Sequence, residues 1–440
     1  MMKPIPLFLA VFLSLILTAC GSDKDEKAPL AGDRLSIMEL QKTLEPDVPS
    51  LQTTSFVTPK AWANAFWPQA GGYPNHAMQN PALSEGKLER QWSADIGKGS
   101  TKRFPLTAQP IVVDGAIYTL DIDFNLRAFD AAAGKEKWNT DIKSQFEKDP
   151  VISGGIAYGE GLIYATNGYN EVLAVKPDDG EIIWRKRIPT PSRAAPTIMD
   201  GRVYVTTLDN RLVALNAQDG SNLWEYTGIA ETAGLVGAAS PAANNEIVVP
   251  VFTSGELTAL RVQNGSVAWS DNLSGIRRFG GLSSISDIKA LPVLDRDLVF
   301  AISFGGRLVA IDQRSGIRVW QRDIAGANTP WVAGNRVFVL SADNELVSLS
   351  RDKGVISWVT PLPKYKKPDS KKGQIVWAGP VMAGGRLIVT ATNGTIREIN
   401  PENGETLAAW DSNLTLSMPP IVAGGTLFLL SDEGKLTAWR

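Results

Sequence analysis

Leu212-Val-Ala-Leu-Asn-Ala-Gln-Asp-Gly220-Ser-Asn-Leu-Trp224 decides the fold. Alternating apolar residues up to Leu215 read as a strand, Asn216 to Gly220 as a turn, and the residues around Trp224 as a second, antiparallel strand. The same hairpin recurs as Gly134-Lys-Glu-Lys-Trp138, Gly180-Glu-Ile-Ile-Trp184, Gly265-Ser-Val-Ala-Trp269, Gly316-Ile-Arg-Val-Trp320 and Gly354-Val-Ile-Ser-Trp358. From Gly404 to Trp410 it is stretched by two residues. Trp92 completes a set of eight tryptophans spaced roughly 40 to 50 residues apart, the period of a propeller blade. Upstream of each hairpin lies a proline-containing strand, a turn and a β-branched strand, as in Ala195-Pro-Thr-Ile-Met-Asp-Gly-Arg-Val-Tyr-Val-Thr206. Each unit is therefore four antiparallel strands, one blade.

The expected fold is all-β, an eight-bladed propeller closed by strands from both chain ends. The last unit stops after Gly434-Lys-Leu-Thr-Ala-Trp439-Arg440, and Leu88-Glu-Arg-Gln-Trp92 supplies its missing strand. Closure of this kind leaves no unpaired sheet edge at the ends of the ring. Tryptophans at one fixed place per blade read as packing between blades.

Lys plus Arg (44) nearly balances Asp plus Glu (46), and no basic stripe is interleaved with aromatics, so nucleic acid is excluded as a partner. Lys3, the apolar run Ile5 to Leu17 and then Leu17-Thr-Ala-Cys20 look like a lipoprotein signal whose cysteine becomes the lipidated first residue. Cys20 is the only cysteine. Acyl chains on it would anchor the protein at roughly 0.8 kcal/mol per buried CH₂. The expected domains are a signal peptide over 1–19, a lipidated N-terminus and tether over 20–61, and the propeller over 62–440. Within the tether, Leu35 to Leu44 reads either as a short amphipathic helix or as an extended segment lying on the propeller.

Catalytic constellations are scarce. With one histidine, His76, and one cysteine, a His/Cys metal set cannot be assembled, and a nucleophile triad would have to borrow His76 from a loop outside the repeats. Asp178, Asp179, Asp219 and Asp312 sit where turn-capping carboxylates belong. Asp121 and Asp123 read as two carboxylates on one strand face, the single spacing suited to a cation. The expectation is no catalytic residue, no cofactor and no metal.

The repeat Ala-(Leu/Val/Phe)-(Asp/Asn)-x-x-x-Gly-x-x-x-Trp, as in Ala128-Phe-Asp-Ala-Ala-Ala-Gly134-Lys-Glu-Lys-Trp138, resembles the repeats of pyrroloquinoline quinone (PQQ) dehydrogenases and of the BamB family of outer-membrane lipoproteins. The quinone enzymes carry a vicinal disulfide that a chain without cysteine after Cys20 cannot form, so the resemblance points to BamB. It implies a non-catalytic subunit of the outer-membrane β-barrel assembly (BAM) complex, lipid-anchored on the periplasmic side of the outer membrane, a site that Gly21 after the cysteine also favours. Implied partners are the periplasmic domains of BamA, other BAM subunits and unfolded outer-membrane proteins.

Two loops carry the BamA contact in that family. Ala233-Gly-Leu235-Val236-Gly237 matches a Leu-x-Leu-Arg-Gly pattern with Val236 in place of the arginine. Ile285-Ser-Asp287-Ile-Lys289 matches Leu-Ser-Asp-Val-Asp with Lys289 in place of the second aspartate. Contact is therefore expected at Leu235 and Asp287, with Arg277 and Arg278 replacing the lost positive charge. That second loop accounts for the 51-residue interval from Gly265 to Gly316, and long loops on rigid scaffolds often bind. Lys364 to Lys372 forms a second, basic insertion, which reads either as a solvated loop or as a contact for an acidic partner or lipid head groups. Two alternatives share the fold: a PQQ-dependent dehydrogenase with its cofactor on the axis, and a sugar- or cell-wall-binding propeller. The latter predicts exposed tryptophans at one mouth, with Trp331 and Trp377 as candidates, although Trp377, just before the Pro380 strand, also reads as core.

Overall fold

The computed structural model describes residues 44–47, 55–147, 149–231, 239–274 and 287–440. Cys20 and the leader, Leu235, Arg277 and Arg278 lie outside them. Among the described residues every regular element is a strand, and eight four-stranded antiparallel sheets form the blades of a propeller, as the repeat predicts. Blade 1 starts with the inner strand Ile111–Val113 and ends with the outer strand Glu136–Asp141. Blade 7 starts with Trp377–Ala383. Blade 8 has Ile421–Ala423, Thr426–Leu430 and Lys435–Trp439 from the C-terminus, and its outer strand, Arg90–Asp95, from the N-terminus. Trp92 pairs with Ala438 there, and Glu89 and Arg440 exchange two backbone hydrogen bonds of 3.0 Å.

Middle strands such as Leu298–Ile302 and Arg336–Leu340 are buried at every position, because neighbouring blades cover both faces. This is why they read as continuous apolar runs rather than as alternation. Outer strands such as Asn222–Thr227 alternate between exposed and half-buried.

Each outer-strand tryptophan is a strut to the next blade. Trp184 lies against Gly220, where a Cβ would come within 2.9 Å of the ring, and its Nε1 donates to the Ala217 carbonyl at 3.1 Å. Tyr164, beside the Trp184 ring, donates its hydroxyl to that same carbonyl at 3.0 Å. The contact repeats for Trp92 on Gly134, Trp138 on Gly180, Trp224 on Gly265, Trp269 on Gly316, Trp320 on Gly354 and Trp358 on Gly404. These glycines have φ between 64° and 77°, so glycine is required twice over, by the backbone and by the ring. Trp410 has no such glycine, because the chain ends lie where the last turn of blade 8 would be. It stacks instead on Trp439 with centroids 4.8 Å apart.

A single segment, residues 62–84, joins all eight blades from the axis. Asn64 bonds Val422 and Gly424 of blade 8, and Trp67 exchanges two backbone bonds with Val112 of blade 1. Pro68 accepts from Tyr158 of blade 2, and the Gln69 amide bonds both backbone groups of Ile198 in blade 3. Pro74 and Asn75 accept from Ala243 and Leu294 of blades 4 and 5. Gln79 accepts from Trp331 and Gly334 of blade 6, and Pro81 from Gly384 of blade 7. Ser84 returns to Gly425 of blade 8. The inner strands would otherwise present unpaired backbone groups to the axis, and this plug satisfies part of that demand.

Replacing Trp320, which is 8% exposed and donates to Arg351 at 2.8 Å, by alanine should cost about 3–5 kcal/mol in denaturant unfolding. Trp320→Phe, which keeps most of the ring and loses the bond, should cost about 1 kcal/mol. Equal losses in the two variants would deny the ring its packing role.

Candidate functional site

The plug closes the axial channel, leaving a blind funnel of about 560 Å³. Its walls are the segments that lead into the inner strands, including Gln109, Gly155, Arg193, Ser240, Lys289 and Asn328. Its floor contains Trp67 and His76 from the plug and Trp331 from blade 6, with Trp67 and Trp331 stacked at 6.3 Å.

His76 sits at φ 60° in the plug loop, 4% exposed, its Nδ1 at 2.7 Å from the Pro292 carbonyl. That carbonyl can only accept, so Nδ1 carries the proton and Nε2 is left as an acceptor. Among the described residues Nε2 makes no hydrogen bond, nor does the indole N–H of Trp67, which is 1% exposed. Burial lowers the His76 pKa to about 4 against a weaker opposing effect of the Pro292 bond.

Among the described residues, Lys102, Arg103, Arg193 and Lys289 line the funnel, and no carboxylate does. Lys289 is open to solvent yet inside a concavity, and the surrounding protein lowers its pKa while nearby Asp287 opposes the shift. Burial lowers that of Arg193 too. Arg103 rests on the Phe104 ring at 5.2 Å.

The sequence-derived contact residues belong to two connections that leave the outer strand of one blade and enter the inner strand of the next. Leu235 lies in sequence between Asn222–Thr227 and Ala242–Ala243 of blades 3 and 4. Arg277, Arg278 and Asp287 lie between Val267–Asn272 and Val293–Asp295 of blades 4 and 5. Both connections start and finish at the funnel-mouth end, where Ser240 and Lys289 are. Asp287 is 4% exposed and its carbonyl accepts from Phe304 at 3.0 Å.

Two expectations are corrected. Asp121 and Asp123 lie in the turn after Ala116–Leu120 rather than on a strand face. Asp121 accepts from the backbone of Asp123 and Asn125 and pairs with Arg127 at 3.0 Å, while Asp123 pairs with Lys98 at 3.1 Å. Among the described residues no group of three or more metal-ligating side chains occurs. Trp331 and Trp377 are buried, at 6% and 2%, and their indoles donate to Gln79 and Pro363, so neither offers a sugar-stacking face at the surface. The turn carboxylates behave as read: Asp219 accepts from Ser221, and Asp312 from Ser315. Sequence reasoning missed the funnel cations, whose only signal was the departure of Lys289 from the resembled pattern.

Eight four-stranded blades joined by tryptophan-to-glycine struts around a plugged axis define a propeller of the PQQ-like repeat class. The sequence model of the family described as outer membrane protein assembly factor BamB matches residues 82–158 and 123–360. Outer membrane protein assembly factor BamB of Yersinia pestis is 26% identical over 355 residues, spanning 79% of this chain and 88% of that one. The Escherichia coli K12 protein of the same name is 26% identical over 350 residues, 78% and 87% of the two chains. Among solved structures, BamB from Moraxella catarrhalis superposes with a TM-score of 0.65 at 18% identity, covering 81% of this chain and 98% of that one. The quinohemoprotein alcohol dehydrogenase of Comamonas testosteroni reaches 0.64 at 12% identity, covering 86% and 81%, a likeness of fold alone. The chain belongs to the outer membrane protein assembly factor BamB family.

His76 yields a pH signature. Its folded pKa lies below the unfolded value of about 6.5, so its stabilisation is complete above that pH and is lost as the pH falls from there towards 4. The full loss is about 3 kcal/mol. His76→Asn, a residue that tolerates positive φ, should flatten stability between those pH values relative to wild type. Parallel curves for the two proteins would refute the assignment.

Proposed function

We propose that this protein is a non-catalytic scaffold subunit of the BAM complex, anchored through Cys20 on the periplasmic face of the outer membrane. It binds BamA and aids insertion of outer-membrane proteins. The observation that carries this reading is membership of a family described as an outer membrane protein assembly factor. Two neighbouring inter-blade connections at the funnel-mouth end, the ones in which the resemblance places the contact, support it.

Leu235, Arg277 and Arg278 are the proposed direct contacts. Ile229, at the start of the first connection, is 59% exposed and extends the apolar surface offered there. Asp287, being buried, would contribute by holding the second connection against Phe304 and by its charge beside Lys289. Outer strands add another surface. Ile183, Leu223 and Val319, each just before a strut tryptophan, are between 43% and 49% exposed on strands with a free edge. An extended segment of an unfolded outer-membrane protein could pair there by β-augmentation.

The test is a pull-down of native lipoprotein from detergent-solubilised envelope. Wild type should recover BamA, and Arg277→Glu combined with Arg278→Glu should lose it while melting at the wild-type temperature. Recovery by both would move the site to another surface; absence of BamA from both would overturn the scaffold reading.

A further inference from the structure

We propose that the axial funnel is a binding site for a small hydroxylated anion, a molecule carrying carboxylate or phosphate groups together with a hydroxyl. This site is separate from the BamA contact proposed above and does not depend on it. Lys102, Arg103, Arg193 and Lys289 face one cavity with no carboxylate in its lining, and none of the four makes an ion pair among the described residues. Cations held together in a concavity repel one another and focus a positive potential at the mouth, an arrangement that an anion relieves.

The floor carries a second, independent sign. Trp67 and His76, both more than nine-tenths buried, belong to the lining of the same cavity, and among the described residues neither the indole N–H nor Nε2 has a hydrogen-bond partner. The indole N–H suits an anionic oxygen. Nε2 of a neutral imidazole suits a hydroxyl proton, since Nδ1–H is committed to Pro292. Cations on the wall with one donor and one acceptor below them select a hydroxy acid or a sugar phosphate over a simple anion. The occupant is a small molecule rather than a threaded chain, because the plug closes the channel and about 560 Å³ is the size of an ordinary ligand pocket.

The experiment is isothermal titration calorimetry of the full-length chain in detergent with citrate, with tricarballylate, which is citrate without its hydroxyl, and with glucose 6-phosphate. One-site saturable binding is expected for citrate or glucose 6-phosphate, and which of them binds separates the carboxylate from the phosphate source. Arg193→Gln with Lys289→Gln should weaken it at least about tenfold, as expected when charge-assisted bonds are lost. Lys366→Gln with Lys367→Gln, on an exposed hairpin outside the funnel, should leave it unchanged. Three outcomes would overturn the site: no saturable binding of any probe, equal weakening in the funnel and hairpin variants, or full binding in the funnel variant. Equal binding of citrate and tricarballylate would remove the hydroxyl from the proposal. Thermal melts of both variants guard against misfolding, and neither alters a residue with a described ion pair.

Discussion

The contact of a tryptophan ring with a glycine of the following blade sets the geometry of the whole molecule. A ring face can lie flat on the backbone only where no Cβ intervenes, so the pairing fixes both the distance and the angle between blades. The indole N–H then anchors the ring to a carbonyl of the same turn, fixing where the ring lies. Repeated around seven of the joints, a local contact worth a few kcal/mol becomes a closed ring. The eighth joint is different because blade 8 is made from both chain ends. Across that joint Trp410 stacks on Trp439 and the plug passes from Pro81 on Gly384 of blade 7 to Ser84 on Gly425 of blade 8, while the Glu89–Arg440 backbone pair closes blade 8 itself.

The plug also determines what kind of space the axis offers. Without it the ring would enclose an open channel; with it the inner strands gain backbone partners and the space becomes a pocket with a floor. Buried cross-links tie plug and ring together: Gln79 donates to Asp295, which pairs with Arg351, whose carbonyl receives the Trp320 strut. Breaking a buried pair of this kind is costly because the surviving charge remains desolvated. Burial of His76 in this framework disfavours its charged form.

The ring was legible in the sequence because its determinants are local. Glycine and tryptophan four residues apart lie on one hairpin, and closure follows from the absent hairpin after Gly434 and the spare strand at Trp92. The funnel was not legible, because Lys102, Arg193 and Lys289 are far apart in sequence and converge only once eight blades are arranged about an axis. The plug was hidden for a similar reason: its bonds join residues far apart in sequence to all eight blades, and no local pattern announces them. Asp121 and Asp123 were misread because a spacing of two means one face on a strand but not in a turn, where Asp121 folds back onto the amides of Asp123 and Asn125.

Rigid rings of this kind confine variation to their connections, and in this chain the long connections enter the inner strands at one end. The funnel mouth and the loops proposed to hold BamA therefore share a face, with Lys289 in the funnel wall and Asp287 two residues before it in the loop. A partner seated on these loops would stand beside the funnel opening, and its charge would add to or oppose the potential of the funnel cations. Linkage requires the effect to be mutual: an anion that neutralises Lys289 must change partner affinity by the same factor by which the partner changes anion affinity. Asp287 opposes the burial-driven lowering of the Lys289 pKa, so a ligand held at Lys289 would act on the loop through a charge pair already in place.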